Sequence, residues 1–213
     1  MKKWEAEIRA LFQPFFVETR RAFQFLEHTY GYQHVGEEVS TSHPRDWAGM
    51  SRYVRSRVGV EIGWEYAESS IGVSFVALHQ PGIFQRGIYH PDASPDRPRA
   101  ISLYSLAYML GHGDDPDFLL PTSPDPPDDM SARDLSPRAR RRALNSWQSA
   151  VLSTIKRRRQ LIETNMPGVL AGLARATQTY ASAILEGDTS VFPSVLDYAL
   201  AELRRHYPTV HLS

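Results

Sequence analysis

"VGVEIGWEYAESSIGVSFVAL", residues 58–78, decides the fold. Val58, Val60, Ile62, Trp64 and Tyr66 alternate with Gly59, Glu61, Gly63 and Glu65. After Glu68-Ser69-Ser70 the two-residue period returns through Ile71, Val73 and Phe75. Successive side chains of a strand point to opposite faces, so this pattern predicts a hairpin with one apolar and one wet face. Two weaker strands precede it, at residues 32–40 and 50–56. Four sequential strands with short connections form an antiparallel meander, and its apolar face needs a helical cover.

The first thirty residues supply that cover. Trp4, Ile8, Leu11, Phe12, Phe15 and Phe16 recur at three- and four-residue steps, and Ala22, Phe23, Leu26 and Tyr30 continue the stripe. Pro14 predicts a kink, and Gly31 sits where a left-handed residue closes a helix. Residues 1–111 are thus read as a helix-plus-sheet unit with Phe23, Leu26, Val60, Ile62, Trp64, Val73 and Phe75 in its core.

Beyond the sheet, residues 81–100 read as loop, and "ISLYSLAYML" (101–110) as a short helix starting near Ser102 and ending at Gly111. Residues 112–137 hold six prolines and seven aspartates. That composition builds no core, so 112–136 is expected to be an exposed linker. Ser136-Pro137 is a hydroxyl cap followed by proline at the first helical position. Leu144, Trp147, Val151, Ile155 and Ile162 then share one helix face. A second helix is expected after Pro167, carrying Val169, Leu170, Leu173, Tyr180 and Ile184, with Gly187 stopping it. A third begins at residues 190–193 and carries Phe192, Val195, Leu196, Ala199, Leu200 and Leu203. The predicted fold class is α+β: a kinked N-terminal helix, a four-stranded antiparallel meander, an acidic linker, and a three-helix unit over 137–213 packed on the first.

Composition narrows the chemistry. The chain of 213 residues contains no cysteine, which excludes disulfides, thiolate catalysis and cysteine-ligated zinc. Glu5 and Glu7 interrupt "MKKWEAEIRALF" before an apolar run develops, so it does not read as a signal peptide. No apolar window approaches the roughly 20 residues that span a bilayer, and a cytoplasmic location without membrane contact is expected. The formal net charge of zero conceals a partition. Residues 111–137 hold seven aspartates against Arg133, whereas residues 138–163 hold eight basic groups and one acid. Such segregation marks interaction surfaces.

His112-Gly113-Asp114-Asp115-Pro116-Asp117 places a histidine beside three carboxylates, yet it lacks the central glycine and terminal glutamate of a calcium loop. The remaining histidines are scattered, with no helical H-x-x-x-H pair. Neither metal nor other cofactor is expected. No G-x-S-x-G, G-x-x-x-x-G-K or G-x-G-x-x-G occurs. Glu37 and Glu38 sit in a weak strand, where neighbours point to opposite faces rather than at one substrate. No catalytic residue is therefore assigned. The candidate partner-binding residues are Arg138, Arg141, Arg142, Lys156 and Arg159, which a helical wheel places opposite the Leu144/Trp147/Val151/Ile155 stripe. A solvated face, or one paired with the chain's own aspartate-rich linker, is the competing reading.

"FQFLEHTYGY" (23–32) and "LEGDTSVFPSV" (185–195), with the strands between them, resemble a group of uncharacterised small bacterial α+β proteins. Some of that group are classed with immunity proteins of polymorphic or contact-dependent toxin systems. The chain departs from the group at Glu186, where arginine is more usual, and in its long Asp/Pro linker. The resemblance implies a non-enzymatic factor that binds another protein, such as a neighbouring-gene product, in immunity or antitoxin fashion. Two alternatives remain open: a nucleic-acid-associated accessory protein using the basic helix over 138–159, and an enzyme with an unrecognised site.

Overall fold

Alternate valine, isoleucine and tryptophan bury one side of a pleat while glycine and glutamate line the other, which is why residues 58–78 pair as a hairpin. In a computed structural model of the chain, residues 3–40, 47–78, 80–84, 100–122, 124 and 136–206 are described. The elements run α1 (Lys3–Ala22), α2 (Phe25–His28), β1 (Gln33–Ser40), β2 (Ala48–Arg55), β3 (Val58–Glu65) and β4 (Ser70–Ala77). They continue with β5 (Ala100–Ser102), α3 (Leu103–Met109), α4 (Pro137–Tyr180), α5 (Ser182–Leu185) and α6 (Phe192–His206). The architecture is mixed α+β, as the sequence patterns predict.

The strands lie in the order β1-β2-β3-β4-β5, with every neighbour antiparallel. Val60 pairs with Tyr53 and Phe75, and Ile62 with Ser51 and Val73, so one face of the sheet carries the core row. The expected meander of four strands gains a fifth. Residues 100–102 pair with β4 and set Ile101 beside Phe75. Three residues are too short to display an alternation, and the last of them, Ser102, is already the cap of the next helix.

α1 covers the inner face. It is bent by 37°, with Pro14 inside it. Phe12, Phe15 and Phe16 are buried, and the Phe12 ring meets Trp64 edge-on at 5.0 Å. A Cβ on Gly49 would come within 2.5 Å of the Phe12 ring, so only glycine lets the helix lie this close. One core cluster joins Phe12, Val60, Leu103, Ile162, Leu170 and Phe192, drawing the N-terminal helix, sheet and C-terminal helices together.

α4 starts as expected, with the Ser136 hydroxyl accepting from the Ala139 N–H at 3.3 Å. Its end differs from the expected loop-separated pair. Asn165 (φ −146°, ψ 39°) breaks the helix two residues before Pro167, and the second half continues with no loop. Buried positions begin at Ile162, and none lies between Pro137 and Leu161. The linker expectation is also corrected in part. Phe118 and Leu120 pack against the core, so residues 112–122 dock on the body. Asp125, Asp128, Asp129 and Asp134 lie outside the described residues.

Replacing Phe12 with alanine should cost about 3–5 kcal/mol in urea unfolding. Gly49→Ala should destabilise through the same contact, and the two effects should not add, because each displaces the same ring from the same place.

Candidate functional site

The His112 turn is held against the second half of α4. The Asp115 carboxylate accepts from the Tyr180 hydroxyl and from the Asp117 N–H, the latter at 2.7 Å. Asp117 in turn takes the Arg175 guanidinium at 2.6 Å, and the His112 ring stacks on Tyr180 at 5.1 Å. Those two bonds hold the Asp115 carboxyl below its ordinary value, and the Tyr180 hydroxyl is pushed up to about 12. Gly172 permits the close approach, since a Cβ there would lie 2.4 Å from the Asp117 carbonyl oxygen. The aspartates that catch the eye in the sequence thus staple the connecting segment to a helix.

Above the staple the segment runs along α4 toward the helix start. Arg158 Nε donates to the Pro121 carbonyl at 2.6 Å, and Trp147 Nε1 donates to the Pro124 carbonyl at 3.0 Å. Leu144, Trp147, Val151 and Ile155 are half-buried on this side. Arg138, Arg141, Arg142 and Lys156 are exposed and form no ion pair among the described residues. Arg138 and Lys156 lie about 27 Å apart at about 1.5 Å per residue. Arg159 does not join them. Its guanidinium reaches the Ser69 hydroxyl at 3.2 Å and the Tyr66 carbonyl at 3.4 Å, and lies 5.1 Å from the Tyr66 ring centre. It anchors α4 to the turn between β3 and β4.

A concavity of about 450 Å³ lies along the β1 edge between Val35, Glu38, Arg52 and Phe84. Glu61 (2.7 Å) and Glu38 (2.5 Å) grip the Arg52 guanidinium, whose carbon lies 5.0 Å from the Phe84 ring centre. Glu37 turns the other way and pairs with Arg20 at 2.7 Å. The adjacent carboxylates therefore serve different arginines on different faces, as strand geometry requires. Sequence reasoning missed Arg52, Arg158 and Arg175. Nothing in their local sequence separates them from solvated cations, because each acts on a partner remote in the chain.

No protein-family model matches the chain, and no curated protein or solved structure matches it. Among the described residues no helix is long and apolar enough to cross a membrane.

The staple carries a pH signature. Because the folded-state value of Asp115 is lowered, its contribution is fully present above the ordinary 3.8 and is lost as the pH falls through the lowered value. Tyr180→Phe should return Asp115 toward 3.8 in an NMR titration of its side-chain carbon. An unmoved titration would show that the hydroxyl does not set it.

Proposed function

We propose that the protein is a non-enzymatic, cytoplasmic factor that binds another protein, of the immunity or antitoxin kind, through the exposed basic side of α4. One observation carries this reading. The first half of α4 holds a run of cations on a helix that buries no side chain before Ile162. A helix set this way offers a charged surface on a rigid rod, with its position fixed by the buried second half. Cations spread along such a rod favour an acidic partner surface, steer encounter and set orientation more than they set final affinity. The absence of aromatic side chains among them disfavours base stacking, which weakens the nucleic-acid reading.

The test is direct. The purified product of the neighbouring gene should form a stoichiometric complex with the full chain in size-exclusion chromatography. Arg138→Gln, Arg141→Gln and Arg142→Gln combined should slow its association about tenfold at low salt, with a smaller change in dissociation, and leave thermal unfolding unmoved. Retention on duplex DNA that falls steeply with salt, together with no protein complex, would replace this reading with the nucleic-acid one.

A further inference from the structure

A sheet that does not close into a barrel ends in two edges, and each presents unpaired N–H and C=O groups to which another strand can add. The two edges here differ. β5 is three residues long and passes directly into α3, which leaves little to pair with. β1 is eight residues long, about 26 Å at about 3.3 Å per residue, and contains no proline. Among the described residues it pairs with β2 alone. Charged side chains commonly guard such an edge, and β1 carries Glu37 and Glu38. Both are drawn away from it. Arg20 of α1 takes Glu37 on one face at 2.7 Å, and Arg52 of β2 takes Glu38 on the other at 2.5 Å. What β1 shows to solvent instead is Val35, 46% exposed, set out of the ladder by the bulge between His34 and Gly36. Ile83, 52% exposed, lines the same groove.

We propose that β1 is a homodimer interface, in which residues 36–40 of two copies pair antiparallel about a two-fold axis normal to the sheet. The two five-stranded sheets then form one continuous antiparallel sheet, and Val35 and Ile83 of each copy are covered beside the contact. Pairing falls to residues 36–40 because the bulge disrupts the ladder before them. The charges of the groove favour a second copy over a foreign chain. Arg9 and Arg52 balance Glu37 and Glu38, so the groove projects no net field that selects an acidic or a basic surface. A two-fold contact needs only a surface that complements itself. Antiparallel pairing also brings the carboxylates of the two copies near one another, and bare carboxylates so placed repel. Arg20 and Arg52 offset them, which leaves the edge able to pair.

Sedimentation velocity of the full chain, from low micromolar to submillimolar concentration, should show a reversible monomer–dimer equilibrium. Val35→Lys places a charge on the edge and should leave a monomer over that range, with thermal unfolding unmoved because Val35 is exposed. Arg20→Gln removes no edge atom but frees Glu37, and should weaken dimerisation at least about threefold. Adding Glu37→Gln to that variant should restore the wild-type association, a rescue that a general loss of α1 packing would not give. Hydrogen exchange supplies the last measurement. The β1 amides that point away from β2 should exchange freely in Val35→Lys and slow in the wild-type dimer. A wild-type chain that stays monomeric at the highest concentration would overturn the proposal. So would a dimer indifferent to Val35→Lys. Outward β1 amides already protected in the monomer would overturn it too, by showing that the chain covers its own edge. No α4 residue enters these variants, so failure here and failure of the charge-based reading are separable.

Discussion

The rest of the structure depends on an aromatic ring laid where a strand has no side chain. Gly49 stands on the inner face of β2 between Val39 and Trp64, and Phe12 fills the space above it. This contact sets the height of α1 over the sheet. Phe15 then reaches Trp64 at 5.8 Å, so the tryptophan is enclosed from the side as well as from above. With α1 seated over β1 and β2, the inner face at β4 is left for the second half of α4. Aromatic rings bury large areas in fixed geometries, so a row of them on one helix constrains the neighbouring elements more tightly than aliphatic side chains would.

What the sequence revealed and what it hid follow from the range over which each feature acts. Strand alternation, the Ser136-Pro137 cap and the Gly31 stop are written within a few residues of where they act, and each appears where the pattern placed it. β5 escaped notice because its pairing with Phe75 and Val76 is non-local and its length is below one period of evidence. The docking of residues 112–122 escaped for a different reason. Composition reports that a segment cannot build a core of its own, but not that Phe118 and Leu120 can enter a core built by others. Arg159 shows the limit of a helical wheel. The wheel gives the direction of a side chain correctly and says nothing of what lies there, here the Tyr66 ring and carbonyl.

The formal neutrality of the chain likewise describes no particular surface. Glu38 and Glu61 are committed to Arg52, Glu37 to Arg20 and Asp117 to Arg175. Such ion pairs contribute little field at a distance, because each charge is offset nearby. Arg138, Arg141, Arg142 and Lys156 have no ion-pair counterpart among the described residues. An exposed pair is worth about 0–1 kcal/mol, so their value lies in attraction over a range of several ångströms rather than in stability.

Asn165 divides one helix into halves governed by different physics. The second half is held by burial of Val169, Leu170 and Leu173, as most helices in proteins are. The first half buries only Ile162, beside the break, and most helices in proteins draw their stability from packing rather than from propensity. Three things compensate. Nucleation is already supplied by the buried half, Arg159 fixes the junction to the β3–β4 turn, and Ser136 caps the free end. The docked segment adds the last constraint, since it shields a stripe that would otherwise face water. Segment and helix are therefore interdependent. Without α4 the prolyl carbonyls lose the Trp147 and Arg158 donors, and without the segment the helix exposes Leu144, Val151 and Ile155.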